Sequence, residues 1–251
     1  MLSIIIPALD EEKHLPLLLD SIKKQDFKNY EIIVADANSE DKTAEIAKRY
    51  GCKVVKGGLP AKGRNKGAKI AKGDLFLFLD ADMILPSNFL TDILKKFYNK
   101  RLDIATFPLL FSGNNIDSFV SKLYNFWAKA TQKVLPHAFG GTLLVKKNVH
   151  EFLKGFDEEI KLAEDHIYAR KAKKIARFAY LKTKPVLTSN RRFEKDGRFK
   201  TYFRYFLAEF YTVSLGPIKS DIFKYKFNHY HKSQKSLDAR RRTPRRVAVK
   251  S

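Results

Sequence analysis

The residues best suited to chemistry in this chain are acids at strand ends. The stretch "GDLFLFLDADMILP", residues 73–86, runs unbroken and apolar from Leu75 to Leu79 and sets Asp80 and Asp82 directly behind it. Such a run, bounded by Gly73-Asp74 and a turn-like segment, reads as a strand buried on both faces. Carboxylates at its end cannot stay buried and charged without a partner. Separated only by Ala81, the two can turn toward one site where the backbone bends. Together they suit a hard divalent cation, which in turn neutralises a diphosphate. Mg²⁺ fits so sparse a set, because it keeps its waters and takes one or two carboxylates plus substrate phosphates. Asp36 ends a second apolar run, "YEIIVAD", and Glu164-Asp165 stand near the start of the helical pattern "KLAEDHIYARKAKKIA". An acid at such a place is favoured by the helix dipole.

The surrounding pattern says what positions these groups. "LSIIIPA", "YEIIVAD", "CKVVKG" and "DLFLFLDAD" read as strands. Between them lie "EEKHLPLLLDSIKKQ", "SEDKTAEIAKRYG" and a basic loop entering a helix, "AKGRNKGAKIAKG". "PSNFLTDILKKFYNK" places Phe89, Leu90, Ile93, Leu94 and Phe97 on one helical face, and "LDIATFPLLF" resumes the β pattern. Strands alternating with helices predict an α/β fold: a mostly parallel central sheet with helices on both faces. Ligands in such sheets bind outside the carboxyl ends of the strands, where Asp36, Asp80 and Asp82 sit. Farther on, "NNIDSFVSKLYNFWAKATQKVLP" predicts one long amphipathic helix with Phe119, Leu123, Phe126 or Trp127, and Val134 near one stripe.

Composition narrows the partners. Lysine and arginine number 49 against 27 acids, a formal net charge of +22 over 251 residues. That excess attracts polyanions: nucleic acid, phosphorylated substrates or an anionic membrane surface. Acids at the strand ends would repel nucleic-acid phosphates, which argues against that partner. The single Cys52 rules out an intramolecular disulfide framework and fits a reducing, cytoplasmic compartment. "MLSIIIPALDEE" has no basic leader and no apolar run of spanning length. No Walker lysine motif, no G-x-G-x-x-G after the first strand and no G-x-S-x-G occur, so P-loop, dinucleotide and catalytic-serine chemistry lack support.

Taken in order, "SIIIPALDEE", "YEIIVADANSEDKTAEIA", "AKGRNKGAKIAKGDLFLFLDAD", "FGGTLLVKK" and "GFDEEIKLAEDHIYARKA" resemble the family 2 glycosyltransferases of the GT-A (Rossmann-like) fold, over roughly residues 2–180. The ending "VLTSNRRFEKDGRFKTYFRYFL" is similar to that of a bacterial and archaeal subgroup, with Thr-Ser, paired arginines and an aromatic before a basic amphipathic segment.

The resemblance implies an inverting transfer of sugar from a UDP- or GDP-sugar, with Mg²⁺ or Mn²⁺, to a glycan or lipid-linked acceptor. Pro7, Ala8 and Glu11 or Glu12 match the segment lining the nucleotide pocket, and Asp36 the acid that meets the base. Ala37 and Asn38 stand where the family has Asp and Gly, which leaves base selectivity open. Arg64 and Asn65 match the pair near ribose and phosphates, and Asp80-Ala81-Asp82 the metal and diphosphate motif. Gly140 and Gly141 match a close backbone approach to sugar or acceptor. Asp165, in Glu164-Asp165, matches the catalytic base, and Arg191 and Arg192 are further cations for the leaving group. A sugar-phosphate nucleotidyltransferase and a nucleic-acid-binding basic protein are the alternatives.

The implied organisation is a catalytic domain over 1–190, a basic, aromatic, helical extension over 191–231 and a disordered basic tail over 232–251. The tail carries eight basic residues and one acid, so +15 of the +22 belongs to the rest. For the extension two readings stand. Its aromatics enter a headgroup boundary on the inner face of the cell membrane, or they pack onto the catalytic domain.

Overall fold

The structure, a computed structural model, describes residues 1–138 and 141–223. Gly140, residues 224–231 and the tail 232–251 lie outside the described residues. The first half contains β1 (Leu2–Ala8), α1 (Leu15–Lys23), β2 (Tyr30–Asp36), α2 (Thr43–Arg49), β3 (Lys53–Lys56) and α3 (Pro60–Ile70). Next come β4 (Leu75–Phe78), β5 (Met83–Ile84), α4 (Phe89–Asn99), β6 (Ile104–Thr106), β7 (Leu109–Ser112) and α5 (Asn115–Thr131). The chain continues through β8 (Leu143–Lys146), α6 (Lys147–Phe152) and α7 (Glu164–Lys173). After these come β9 (Phe178–Tyr180), β10 (Val186–Ser189), α8 (Arg191–Asp196) and α9 (Arg198–Ser214).

Seven strands form the central sheet in the order β3-β2-β1-β4-β8-β6-β9, parallel except where β8 runs against β4 and β6. Leu75 to Leu79 are all buried, as a two-sided strand requires. Leu75, Leu77 and Leu79 join Ile4 and Ile6 of β1 in one core layer, against Leu18, Leu19 and Ile22 of α1 and Ile93 and Phe97 of α4. Phe76 and Phe78 join Ile5 and Ile33 in the other, against Ala61 and Ala68 of α3 and Tyr168 and Ala169 of α7. Alternation along each strand thus feeds two cores from one sheet.

Three features depart from the sequence reading. The basic segment is helical from Pro60 onward rather than a loop entering a helix. Proline opens it, where the missing N–H costs nothing. Its two glycines let it lie close on the sheet: a Cβ at Gly67 would stand 2.5 Å from Ile5 Cγ2, and one at Gly63 3.0 Å from Pro7 Cβ. Secondly, "LDIATFPLLF" is two strands, broken at Phe107-Pro108. β7 leaves the central sheet for a three-stranded one, ordered β5-β10-β7. Thirdly, the α5 stripe of Phe119, Leu123 and Phe126 faces outward, while Asp117, Ser121 and Ala128 face in.

The C-terminal helices are fastened by polar contacts. Asp117, fully buried, accepts from the Tyr202 hydroxyl at 2.6 Å and from Arg198 Nε at 3.1 Å. Glu209 of α9 accepts from His166 Nδ1 of α7 at 2.7 Å, pairs with His137 Nε2 at 3.0 Å and receives the Arg170 guanidinium. Loss of hydration alone would raise its pKa, but these donors hold it well below the usual carboxylate range.

Two substitutions check this packing. Gly67→Ala forces α3 off Ile5 and lowers unfolding free energy by about 1–3 kcal/mol in urea titrations. Glu209→Gln strips the charge facing His166 and Arg170 and costs about 3 kcal/mol at pH 7. Because the folded-state pKa is depressed, this difference is full above the ordinary value of 4.5 and shrinks as pH falls below it. Paired melts at pH 7 and pH 3.5 read the change.

Candidate active site

The carboxyl ends of β1, β2 and β4 open onto one side of the sheet, and the acids gather there. Asp80 follows β4, and Asp82 lies just before β5. Arg64, on the sheet-facing side of α3, is 1% exposed. Its Nη2 donates to Asp80 Oδ1 at 2.8 Å and its Nη1 to Glu164 Oε1 at 2.5 Å. The ring of Phe156 lies 5.4 Å from its guanidinium carbon, a cation–π distance. Arg64 Nε is buried without an acceptor among the described residues, a penalty of about 1–3 kcal/mol that the two ion pairs offset.

Asp165 lies next to Glu164 at the first turn of α7, buried, with Oδ1 accepting from the His166 amide at 2.8 Å. Ala163, just before it, is left-handed at φ 61°, a conformation that costs a non-glycine residue about 1–2 kcal/mol. Burial raises the Asp165 pKa and Glu164 adds to the rise, against the pull of His166 and Arg64. On the opposite flank, α8 brings in Arg191, which grips the buried Glu11 with both terminal nitrogens, Nη1 to Oε2 at 2.7 Å. Arg191 Nη2 also lies 3.4 Å from Asp82 Oδ2, and Thr188 of β10 donates to Asp82 Oδ1 at 3.4 Å.

Within this set, five carboxylates (Glu11, Asp80, Asp82, Glu164, Asp165) meet two guanidinium groups. Lost hydration pushes Asp80 up to about 7, with Asp82 and Glu164 adding to it and Arg64 opposing. Asp82 is raised for the same first reason. The partners of the Arg64–Asp80 pair thus shift in ways that read oppositely. Burial works against the Arg64 charge, yet the acids hold its proton more firmly, while Asp80 takes one more readily. The 2.8 Å contact is a sound ion pair; the surplus lies in the acids around it. An all-oxygen donor set with excess negative charge is the chemistry of a hard dication site, so Asp80 and Asp82 fit one.

Gly141 fits the same corner. At φ 92° it is a left-handed position, and a Cβ there would stand 2.3 Å from the Asp80 amide nitrogen. Ala81 is buried between the two acids, and Pro7 and Ala8 end β1 beside Asp36, whose register partner is Ala8. Asp36 accepts from the Ser39 amide and hydroxyl and so shapes its own turn. Two predicted residues are engaged elsewhere. The Asn65 amide donates to Phe156 O and accepts from Phe156 N, each at 2.8 Å, pinning the loop before α7. The Glu12 carboxylate accepts from the Lys42 amide at 3.2 Å. Arg192 is half-buried beside Arg191. Phe156, His166 and Glu209 carry no sequence signal that sets them apart from ordinary loop and helix residues, whereas Thr188 belongs to the Thr-Ser pair ahead of the paired arginines.

Among the described residues, no helix is long and apolar enough to cross a membrane. A family model for glycosyl transferase family 2 matches residues 3–147. Over 188 residues the chain is 29% identical to the poly(ribitol-phosphate) beta-N-acetylglucosaminyltransferase TarS of Staphylococcus aureus, covering 68% of this chain and 32% of that protein. It is 29% identical over 205 residues to a poly(ribitol-phosphate) beta-glucosyltransferase of Bacillus spizizenii, covering 75% of this chain and 31% of that protein. The chain therefore spans about a third of the length of these curated relatives. Among solved structures, S. aureus TarS 1–349 in complex with UDP-GlcNAc superposes with a TM-score of 0.64 at 23% identity, over 85% of this chain and 67% of that one. The mannosyltransferase PcManGT from Pyrobaculum calidifontis, in complex with GDP-Man and Mn²⁺, gives 0.68 at 20% identity, over 85% and 64%. The fold is GT-A, and with more than half of its residues inside the family match, the chain belongs to glycosyl transferase family 2.

Proposed function

We propose that the protein is an inverting glycosyltransferase. It moves a sugar from a UDP- or GDP-sugar to a hydroxyl of a glycan or lipid-linked acceptor. The observation that carries this reading is Arg64, whose guanidinium holds Asp80 on one nitrogen and Glu164 on the other. It thereby sets the pair Asp80/Asp82 and the pair Glu164/Asp165 within one guanidinium's reach of each other. A donor lying between them has its diphosphate at the first pair and its anomeric carbon facing the second.

Roles follow from charge and reach. Pro7, Ala8 and Asp36, at the ends of β1 and β2, receive the nucleoside. Asp80 and Asp82 would hold Mg²⁺ or Mn²⁺, which when bound supplies positive charge to the leaving diphosphate. The Mn²⁺ of the PcManGT complex supports a dication without choosing one. Arg64 and Arg191 add fixed positive charge around the same oxygens, with Arg192 behind them. Gly141 keeps that corner open by leaving no side chain against Asp80. Asp165 takes the acceptor proton: its Oδ1 is engaged by the His166 amide, which leaves Oδ2 for the hydroxyl. As that O–H bond breaks, the acceptor oxygen bonds the anomeric carbon from the far side. The bond from that carbon to the diphosphate oxygen breaks, its electron pair leaves with the nucleoside diphosphate, and the configuration inverts. Glu164 keeps Arg64 in place. The segment Thr188-Ser189-Asn190-Arg191-Arg192 supports the bacterial and archaeal subgroup, because it supplies both Thr188 and Arg191 to Asp82. Membership of the family favours sugar transfer over nucleotidyl transfer and over nucleic-acid binding.

UDP or GDP should raise the melting temperature only when Mg²⁺ or Mn²⁺ is present. Equal stabilisation in chelator would remove Asp80 and Asp82 from the donor site. Asp165→Asn should lower turnover by about 10²–10⁴-fold while leaving donor-induced stabilisation in place. The parent's rate should climb with pH along an acid limb whose midpoint lies well above 3.8, the ordinary aspartate value, because burial raises this carboxyl and the base works ionised. An equally active Asn variant would take Asp165 out of the base role.

A further inference from the structure

Two helices of this protein are built inside out. α5 turns Asp117, Ser121 and Ala128 inward and leaves Ile116, Phe119, Leu123 and Phe126 outside. α9 buries Thr201, Ala208 and Thr212 and leaves Phe199, Phe203, Phe206, Phe210 and Val213 outside. These nine large side chains are 50–84% exposed. Their spacings, 116-119-123-126 and 199-203-206-210-213, put each set on a single helical stripe. A water-facing helix normally shows the reverse pattern, and apolar patches of this extent mark an interaction surface. Asp117 ties the two helices together through Tyr202 and Arg198.

Charge identifies the occupant. Asp117 and Glu209 are the only acids on these two helices, and both are turned inward and paired. The polar flanks carry exposed Lys122, Lys129 and Lys200, with Lys133 just past α5. Residues 224–251, which follow α9 closely in the chain, add ten basic residues and one acid. Two copies pressed together on this face would set lysines against lysines, and neither helix offers an outward acid to answer them. Phenylalanine stripes edged by lysine match the headgroup boundary of an anionic bilayer. We infer that α5 and α9 form a docking face for an anionic phospholipid surface, on which the protein lies without crossing. This goes beyond the proposed transfer reaction and is read without turnover. It also places the acid pair one helix behind the lipid, since Glu209 on the inner side of α9 bonds His166, the neighbour of Asp165.

Vesicle co-sedimentation of the full chain tests it, with phosphatidylcholine alone against phosphatidylcholine containing phosphatidylglycerol. Binding is expected only with the anionic lipid. It should fall at least tenfold in the variant Phe119→Ser, Phe126→Ser, Phe203→Ser, Phe206→Ser, whose melting curve should match the parent's because all four side chains face outward. A parent that stays in the supernatant overturns the inference. So does a variant that binds as well as the parent, which would leave the basic residues acting alone. A dimer in light scattering that the four substitutions dissolve, without vesicle binding, would assign the face to self-association instead.

Discussion

The site depends on one buried cation. Arg64 is almost wholly removed from water, and such a charge persists only where acids surround it closely enough to replace hydration. Asp80 and Glu164 do so from the sheet and from α7, 16 and 100 residues away in the chain. The constraint runs backward into the fold. Arg64 reaches them because α3 lies on β1 at glycine-only distances, and α3 lies there because Gly63 and Gly67 have no side chains to hold it off. Glycines that weaken a helix by about 1 kcal/mol each in isolation are here the condition for the ion pair.

Arg191 repeats the arrangement from the other end of the molecule. β10 pairs with β5 just beyond Asp82, so the C-terminal segment is built into the surroundings of that acid. α8 then carries Arg191 to Glu11 and Asp82. Neither arginine removes the local excess of negative charge, and that excess adds to the rise that lost hydration already gives the Asp80 pKa. An arrangement that served stability alone would match its charges. Unmatched acids held in place by matched ones are what a site for a dication and a diphosphate requires.

Much of this was legible in the residues. Leu75 to Leu79 followed by Asp80 is a buried strand with a polar end whatever its neighbours are, and the α4 stripe from Phe89 to Phe97 is buried as its spacing predicts. Local pattern carries such features because they depend on period and composition. Illegible features depend on partners far off in the chain. Nothing around Asn65 says that its amide holds the Phe156 backbone, and nothing around Glu209 says that two histidines and an arginine converge on it. β5, two residues long, forms only because β10 arrives beside it. Two glutamates one residue apart, Glu11 and Glu12, look interchangeable in sequence, yet one meets Arg191 and the other a loop amide.

The outward-facing helices show a different limit. Periodicity tells that α5 and α9 each have an apolar side; it does not tell which side faces in, because the opposite side can also be satisfied. Asp117 and Glu209 satisfy it here, each buried or nearly so and each meeting several donors, so the polar side packs at little cost. Nine large apolar side chains in water forgo about 1.5–3 kcal/mol apiece relative to burial. The fold could have reclaimed that by rotating either helix, but rotation would break Asp117 from Tyr202 and Glu209 from His166. The inward polar contacts thus fix the helices in the one orientation that presents phenylalanine outward. The same contacts connect that surface to α7 and its acids, so an outward apolar face and an ordered acid pair are consequences of a single set of hydrogen bonds.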